Sequence, residues 1–257
     1  MTRRRWIADS WDEATASLTG EQAAHLIRVL RAQKGMEFDV VAGGNVWRAA
    51  ITGISGDTVL FTLLSEVEAA PALPVTVLLS IFKFDRMEWM IEKATELGVE
   101  RMVPMIARRS EKHLAQSAPA RVERWRRISR EAAKQSRRSD VPLIDDVISL
   151  KDAVRGKPFG HASAPDSGLP LRLLLAEQEE VTTLHAAVVS ALNQHRAKEP
   201  RLRIALAVGP EGGWTAEEET LFADGGWKPV SLGPRILRAE TAGIAAMAVV
   251  ASLIGPE

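Results

Sequence analysis

Gly209-Pro210-Glu211-Gly212-Gly213, at the end of the apolar run Ile204-Ala205-Leu206-Ala207-Val208, decides the fold together with a second corner. That corner is Leu232-Gly233-Pro234-Arg235-Ile236-Leu237-Arg238-Ala239-Glu240-Thr241-Ala242, after Lys228-Pro229-Val230-Ser231. Each corner stands where a strand should end and a helix begin, the place where an open α/β sheet leaves a crevice for ligands. Glycine lets the main chain approach a ligand closely, and its amides can donate to it. Thr215 and Glu218 have the spacing of a capping box, so the first corner should run straight into a helix. In the second, Arg235 and Arg238 flank Ile236-Leu237 ahead of a helix over 241–254 that is apolar almost all round, suited to a core or a subunit interface. Alone, the first corner reads equally as a tight structural turn. The pair together favours a small-molecule site.

Upstream, apolar runs alternate with amphipathic ones. The near-continuous run 75–82 predicts a strand buried on both faces. Asp85 and Glu88 suggest a capped helix start, and Leu97-Gly98 a helix end with glycine in the left-handed position. A strand over 99–106 follows, then a helix over 119–138, a strand over 141–145 and a short helix near Leu150. A strand over 171–176, a helix over 183–196 and a strand over 202–208 complete the rhythm. It predicts an α/β domain with a mostly parallel sheet and helices on both faces. The Gly-, Pro-, Ser- and Ala-rich segment between Arg155 and Pro170 reads as a mobile surface loop.

The first part of the chain has a different pattern. Leu18-Thr19-Gly20-Glu21 opens a short helix capped by Thr19 or Gly20, with Leu26, Ile27, Val29 and Leu30 as its apolar side. Three β-favouring runs, 36–42, 45–54 and 58–64, are separated by Gly43-Gly44 and Ser55-Gly56-Asp57 turns. They predict a compact β-barrel with one helix, ending near Glu68, and 69–74 reads as a linker. The expected domains are therefore 1–70 and 71–257.

With 257 residues, 46% of them hydrophobic, the chain can bury a sizeable core. Formal net charge is zero, so the overall balance does not point to nucleic acid. The distribution does: between Arg101 and Arg138, ten Arg and two Lys stand against three Glu. On the helix over 119–138, Val122, Trp125, Ser129 and Ala132 should pack inward, leaving Arg124, Arg127, Arg130, Lys134, Arg137 and Arg138 outside. With Arg108 and Arg109 just upstream, Arg127, Arg130, Lys134 and Arg137 form a surface suited to a nucleic-acid backbone rather than one that is merely solvated. His25, Arg28 and Arg31, spaced to share a helix face, are open to either reading: a solvated side or phosphate contacts.

Several chemistries are excluded. There is no cysteine, so no disulfide, thiolate metal site or Cys nucleophile. No G-x-G-x-x-G follows a strand, and neither a G-x-x-x-x-G-K-[ST] loop nor a G-x-S-x-G elbow is present. The histidines (His25, His113, His161, His185 and His195) lack metal-ligand spacing, so no metal is expected. Basic Met1-Thr2-Arg3-Arg4-Arg5-Trp6 leads into Ile7-Ala8-Asp9-Ser10 rather than an apolar core, unlike a signal peptide. The longest apolar run, 242–254, is too short to span a bilayer, and a cytoplasmic protein is expected.

These motifs carry a resemblance. The two corners are similar to those of the ribosomal small-subunit methyltransferase E family, of the knotted SPOUT class. So are Glu92-Lys93-Ala94-Thr95-Glu96-Leu97-Gly98-Val99, Arg124-Trp125-Arg126-Arg127-Ile128 through Glu131-Ala132-Ala133-Lys134-Gln135-Ser136, and His25-Leu26-Ile27-Arg28-Val29-Leu30-Arg31. The resemblance runs in family order over nearly the whole chain. It implies a PUA-like barrel followed by a SPOUT domain whose last loops form a trefoil knot, and a homodimer. It further implies S-adenosylmethionine as methyl donor and N3 of a single uridine in 16S ribosomal RNA as acceptor. By position, Leu175, Ala176 and Glu177, then Gly209, Pro210, Glu211, Gly212 and Gly213, then Leu232, Gly233, Ile236 and Leu237 would hold the donor. Where the family often carries an aromatic or acidic pair, this chain has Ala176-Glu177-Gln178-Glu179. Ribose 2′-O methylation and a non-catalytic RNA-binding assembly factor are the alternatives.

Uracil N3 carries a proton and is a poor nucleophile until it leaves. Arginine stays protonated and cannot be the base, but Arg238 can stabilise charge on the uracil oxygens. Glu240 or Glu211 can accept the proton, or equally cap a helix. The missing cysteine excludes the thiolate route to C5 of uridine.

Overall fold

The computed structural model describes residues 5–68, 71–136, 138–156, 170–195 and 201–255. The loop expected between Arg155 and Pro170 falls almost wholly outside them, as does Arg137. By internal contact the chain divides into two compact units, Met1–Pro71 with Ala133–Val141, and Ala72–Ala132 with Pro142–Glu257.

In the first unit six strands pair in the order β1-β4-β5-β6-β3-β2. They are β1 (Arg5–Ile7), β2 (Ser10–Trp11), β3 (Thr15–Thr19), β4 (Glu37–Ala42), β5 (Asn45–Ser55) and β6 (Thr58–Val67). The two ends of this order, β1 and β2, are joined by only Ala8 and Asp9, so the sheet curls back on itself as a barrel. Alternate residues point inward, which places Trp6, Leu18, Val40, Ile51, Val59 and Phe61 in one core.

The helical segment departs from the expected regular helix. A short α1 (Gly20–Ala24) passes into a π-helical turn over His25–Val29, closed by the Leu30 N–H donating to the His25 carbonyl at 3.2 Å. A π turn holds an extra residue, so the apolar face rotates out of register. Leu26 is fully buried, whereas Val29 and Leu30 are 64% and 44% exposed, contrary to the packing expected of them. Arg31 follows in the left-handed region (φ 49°), so the helical spacing that would group His25, Arg28 and Arg31 stops short of it. Thr19 is the N-cap, but its hydroxyl donates to Asp9 Oδ2 at 3.1 Å instead of serving the helix.

The second unit is a parallel sheet in the order β10-β8-β7-β12-β11-β13, with β9 beside β8. Its strands are β7 (Leu73–Ser80), β8 (Val99–Ile106), β9 (Leu143–Ile144), β10 (Ile148–Ser149), β11 (Leu171–Leu175), β12 (Ile204–Val208) and β13 (Lys228–Val230). Strand β7 begins inside the expected linker and stops two residues early. The helices are α2 (Phe84–Glu96), α3 (Lys112–Ser117), α4 (Val122–Gln135), α5 (Leu150–Val154), α6 (Leu184–Gln194), α7 (Ala216–Asp224) and α8 (Ala239–Ile254).

Both sheet faces are covered. Val75, Val77 and Leu79 with Ile204, Leu206 and Val208 face α2, α4, α6 and α8. Leu78, Ala205 and Ala207 face α5 and α7, where small side chains leave room for Trp214, Phe222 and Trp227. The expected helix over 119–138 is broken: Pro119 sits in a 3-10 turn, Ala118–Arg121, and α4 starts only at Val122. Its inward stripe is as read, with Val122, Trp125, Ser129 and Ala132 all buried. Arg138, expected on the basic surface, is buried and paired with Asp140. The Asp85–Glu88 capping box does not form either. Lys83 is the N-cap of α2, with no side-chain hydrogen bond, and Glu88 receives both a 2.6 Å and a 2.8 Å bond from Arg124. Among the described residues no helix is long and apolar enough to cross a membrane.

Candidate functional site

Strand order reverses between β7 and β12: the chain first builds outward through β8 and β10, then crosses to β11 and inserts β12 between. At the carboxyl ends of β11, β12 and β13 lies a cavity of about 860 Å³, bounded by their last residues Leu175, Val208 and Val230. Ligand pockets span roughly 300–1,000 Å³, so it can enclose a cofactor-sized molecule. Leu175, Ala176 and Glu177, the whole of Gly209–Gly213, and Leu232, Gly233, Ile236 and Leu237 all line it, as does Arg238. The residues picked out for donor binding thus meet on one wall.

Hydrogen bonds stitch the three corners together. The Trp214 indole N–H donates to the Leu175 carbonyl at 2.9 Å, tying the β12 corner to the end of β11. Leu184 N–H donates to Ser231 O at 2.8 Å and Ser231 N–H to Thr182 O at 2.9 Å, tying the β13 corner to the segment after β11. The Glu179 carboxylate accepts from the Val181 and Thr182 N–H groups, folding that segment into a tight turn. The capping box forms as read: Thr215 N–H donates to Glu218 Oε2 at 2.9 Å and Glu218 N–H to Thr215 Oγ1 at 3.3 Å. The other Glu218 oxygen accepts the Arg108 N–H at 2.6 Å.

Two of the glycines that line the cavity also have a packing reason of their own. A side chain on Gly209 would lie 3.2 Å from the Trp214 ring, and one on Gly212 would lie 3.3 Å from Arg109 Cδ. Only Gly213 and Gly233 hold left-handed backbone here (φ 68° and 110°). Sequence reasoning treated Arg109 as a phosphate contact. In the structure its Nη1 donates to Gly212 O at 2.6 Å and Trp214 O at 3.0 Å, clamping the loop while lining the cavity.

The other assigned residues are placed as follows. Arg238 is the N-cap of α8 without a side-chain capping bond. Glu240, in the first turn, is 4% exposed and does not line the cavity; its Oε1 lies 3.6 Å from Arg86 Nε. Glu211 does line it, with Oε1 3.4 Å from the Lys83 N–H. Arg127 and Arg130 are exposed on α4, and Lys134 is partly buried. In the first unit the His25 ring lies 5.8 Å from that of Trp6, and Arg28 is 3.6 Å from Asp57. Arg86 and Trp214 were missed. Arg86 lies in the Arg86-Met87-Glu88-Trp89 stretch just ahead of the quoted motif, and Trp214 directly follows Gly213.

The cavity wall mixes Leu175, Val208, Val230 and Ile236 with carboxylates, Glu177 and Glu211 among them, and with the cations Arg86, Arg109, Arg235 and Arg238. Such a wall suits a ligand with an apolar ring, a positive centre and an anionic partner close by.

Family models match twice: an RNA methyltransferase PUA domain over residues 18–64 and an RNA methyltransferase domain over 69–251. A ribosomal RNA small subunit methyltransferase E from Synechocystis is 37% identical over 94% of this chain and 74% of its own length. The Bacillus subtilis protein of that name is 31% identical over 92% of this chain and 89% of its own. Among solved structures, the Neisseria gonorrhoeae protein of that name, bound to S-adenosyl methionine, is 28% identical with a TM-score of 0.75 over 99% of both chains. A Legionella pneumophila methyltransferase complexed with the same molecule is 27% identical, also at 0.75, over the full length of both.

Proposed function

Because the chain belongs to the ribosomal RNA small subunit methyltransferase E family, we propose that it methylates N3 of a uridine in 16S ribosomal RNA with S-adenosylmethionine as donor. The observation that carries this reading is the convergence of three strand-end corners and Arg238 on one cavity. S-adenosylmethionine supplies an electrophilic methyl on a positively charged sulfur. The residues present fit it: Glu177 and Glu211 face the cavity and can offset its sulfonium and ammonium charges, while Leu175, Val208 and Val230 offer an apolar seat for its base.

The chain's own residues then have two tasks. They must hold N3 in line with the methyl group, and they must stabilise the negative charge left on uracil when its proton departs. Arg238 serves the second task from the cavity wall. Glu211, with its carboxylate at the cavity, is the better placed of the two glutamates to accept the proton. The barrel, 1–70, and the basic residues of α4 bind the RNA in this reading. The trefoil knot of the 71–257 domain and a homodimer belong to the same proposal; the bridge between Thr183 and Ser231 and the strand order β7-β12-β11-β13 support the knot.

The direct test is mass mapping of 16S RNA after incubation with protein and donor, as naked RNA and as assembled subunits. A 3-methyluridine product is expected. A methylated ribose would replace the reading with 2′-O transfer, and absence of donor binding by calorimetry would favour an assembly factor. Arg127→Glu and Arg130→Glu together should weaken RNA binding and lower the slope of log affinity against log salt by about 1.5, near the single-strand value of roughly 0.7 per phosphate contact. An unchanged slope would return these side chains to the solvated reading. Arg109→Ala releases the Gly212 and Trp214 carbonyls and should raise the donor dissociation constant by about 10-fold, the loss of a charge-assisted bond of roughly 1.5 kcal/mol. Unaltered calorimetric affinity would show that the clamp is dispensable.

A further inference from the structure

Arg86 stands in an electrostatically poor place. It occupies the first turn of α2, where the helix dipole opposes a positive charge, yet it lines the cavity. Its polar partner among the described residues is Glu240, in the first turn of α8, with Nε 3.6 Å from Oε1. That is an ion-pair separation and too long for a hydrogen bond. The other Glu240 oxygen is buried without any hydrogen-bond partner, an arrangement that destabilises the folded state. The pair is open, and Arg86 lines the cavity with its outer guanidinium nitrogens uncommitted.

The two helices that carry the pair are held close. A side chain on Gly243 of α8 would collide with Met90 Cε of α2 and come within 2.6 Å of its Sδ. Arg86 and Arg238 therefore reach the cavity from adjacent helix starts. The β11 and β12 corners come from strand ends, and the β13 corner leads directly into Arg238.

We propose, resting on the methyltransferase reading above, that Arg86 is the second cation facing the target base and that Glu240 is the positioning residue that orients it. Glu240 holds the Nε side of the guanidinium, leaving the outer nitrogens to donate to a uracil carbonyl oxygen. As the N3–H bond breaks, its electron pair stays on the ring and its proton passes to the base. The N3–CH3 bond then forms as the S–CH3 bond breaks, and sulfur leaves with that pair as a neutral thioether. Arg86 and Arg238 together bracket the ring charge that exists between these events, and Glu240 takes no proton.

Single-turnover and steady-state assays at saturating donor, with calorimetry for donor binding, test the assignment. Arg86→Ala should lower kcat by about 100-fold with the donor dissociation constant within about twofold of wild type. Arg86→Lys should recover about 10-fold of that loss, because charge returns without the planar fork. Glu240→Gln, which keeps shape and removes the orienting charge, should lower kcat by about 10-fold at unchanged donor affinity. If Arg86→Ala weakens donor binding and leaves kcat intact, the side chain holds the donor's carboxylate and the proposal is overturned. Wild-type kcat in Arg86→Lys and Glu240→Gln would overturn it equally, even if Arg86→Ala fails to fold. The wild-type product separates the two levels of failure. A 3-methyluridine product with unaltered variant kinetics sinks this assignment alone, whereas a ribose-methylated product sinks the reading beneath it as well.

Discussion

Arg238→Ala is expected to reduce methyl transfer by about 100- to 1,000-fold in kcat, the usual consequence of removing one preorganised donor from a site of developing charge. Its thermal midpoint should stay close to wild type. The separation is possible because of where the residue sits. Arg238 is the N-cap of α8 by backbone geometry (φ −63°, ψ 152°), but its side chain makes no capping hydrogen bond. Truncation therefore removes no helix-end partner, and the Ala242 N–H still donates to the backbone carbonyl of residue 238. What is lost is a guanidinium at the cavity wall. Near-normal turnover in this variant would take Arg238 out of the mechanism. A large fall in thermal midpoint would show instead that it holds the second corner together.

Trp214→Ala should be the most destabilising single change near the site, by about 3–5 kcal/mol, the range for truncating a large buried aromatic. Trp214 is 8% exposed and packs edge-to-face on Phe222 at 4.8 Å, which in turn meets Trp227 at 5.3 Å. It also fills the space beside Gly209 and donates to the Leu175 carbonyl. One side chain thus joins an aromatic core, a glycine corner and the end of a neighbouring strand. Trp214→Phe keeps an aromatic ring but drops the donor and part of the volume, and should cost about 1–3 kcal/mol, on the scale of one buried acceptor left unpaired. Urea midpoints measure both. A loss below about 1 kcal/mol for Trp214→Ala would show that the loop closes over the gap.

Much of this was legible locally. Strand β8 has the bounds read for it, because its apolar run is set off by Gly98 at one end. The Thr215–Glu218 box formed because both partners lie within one turn and nothing distant competes for the hydroxyl. Glu88 shows the opposite case: Arg124, far along the chain, takes its carboxylate and the capping box is lost. Strands β1, β2 and β3 are two to five residues long, and β1 and β3 pair with strands remote in sequence. No local pattern announces them. The corners that line the cavity could be read locally, but the reason for their glycines could not. That depended on which side chains, Trp214 and Arg109, the fold would bring against them. The pairing of Arg86 with Glu240 belongs to the same kind, since it exists only because two helices distant in the chain start side by side.

The order β8-β7-β12-β11 has a consequence for how the protein is made. Strand β7 finds its partner β8 after a single helix, but its other neighbour, β12, is synthesised only after more than half of the domain has emerged. Until then β7 shows a bare apolar edge, and β11 has neither of its own partners in place. Late pairings of this kind slow folding, because the chain loses loop entropy before long-range contacts reward it. Exposed strand edges also invite association with other chains. The nascent protein therefore passes through a stage in which the barrel can already close while the half-built sheet is exposed to aggregation. The three corners that line the cavity are among the last parts to assemble, so its wall is complete only once β13 and the corner after it have emerged.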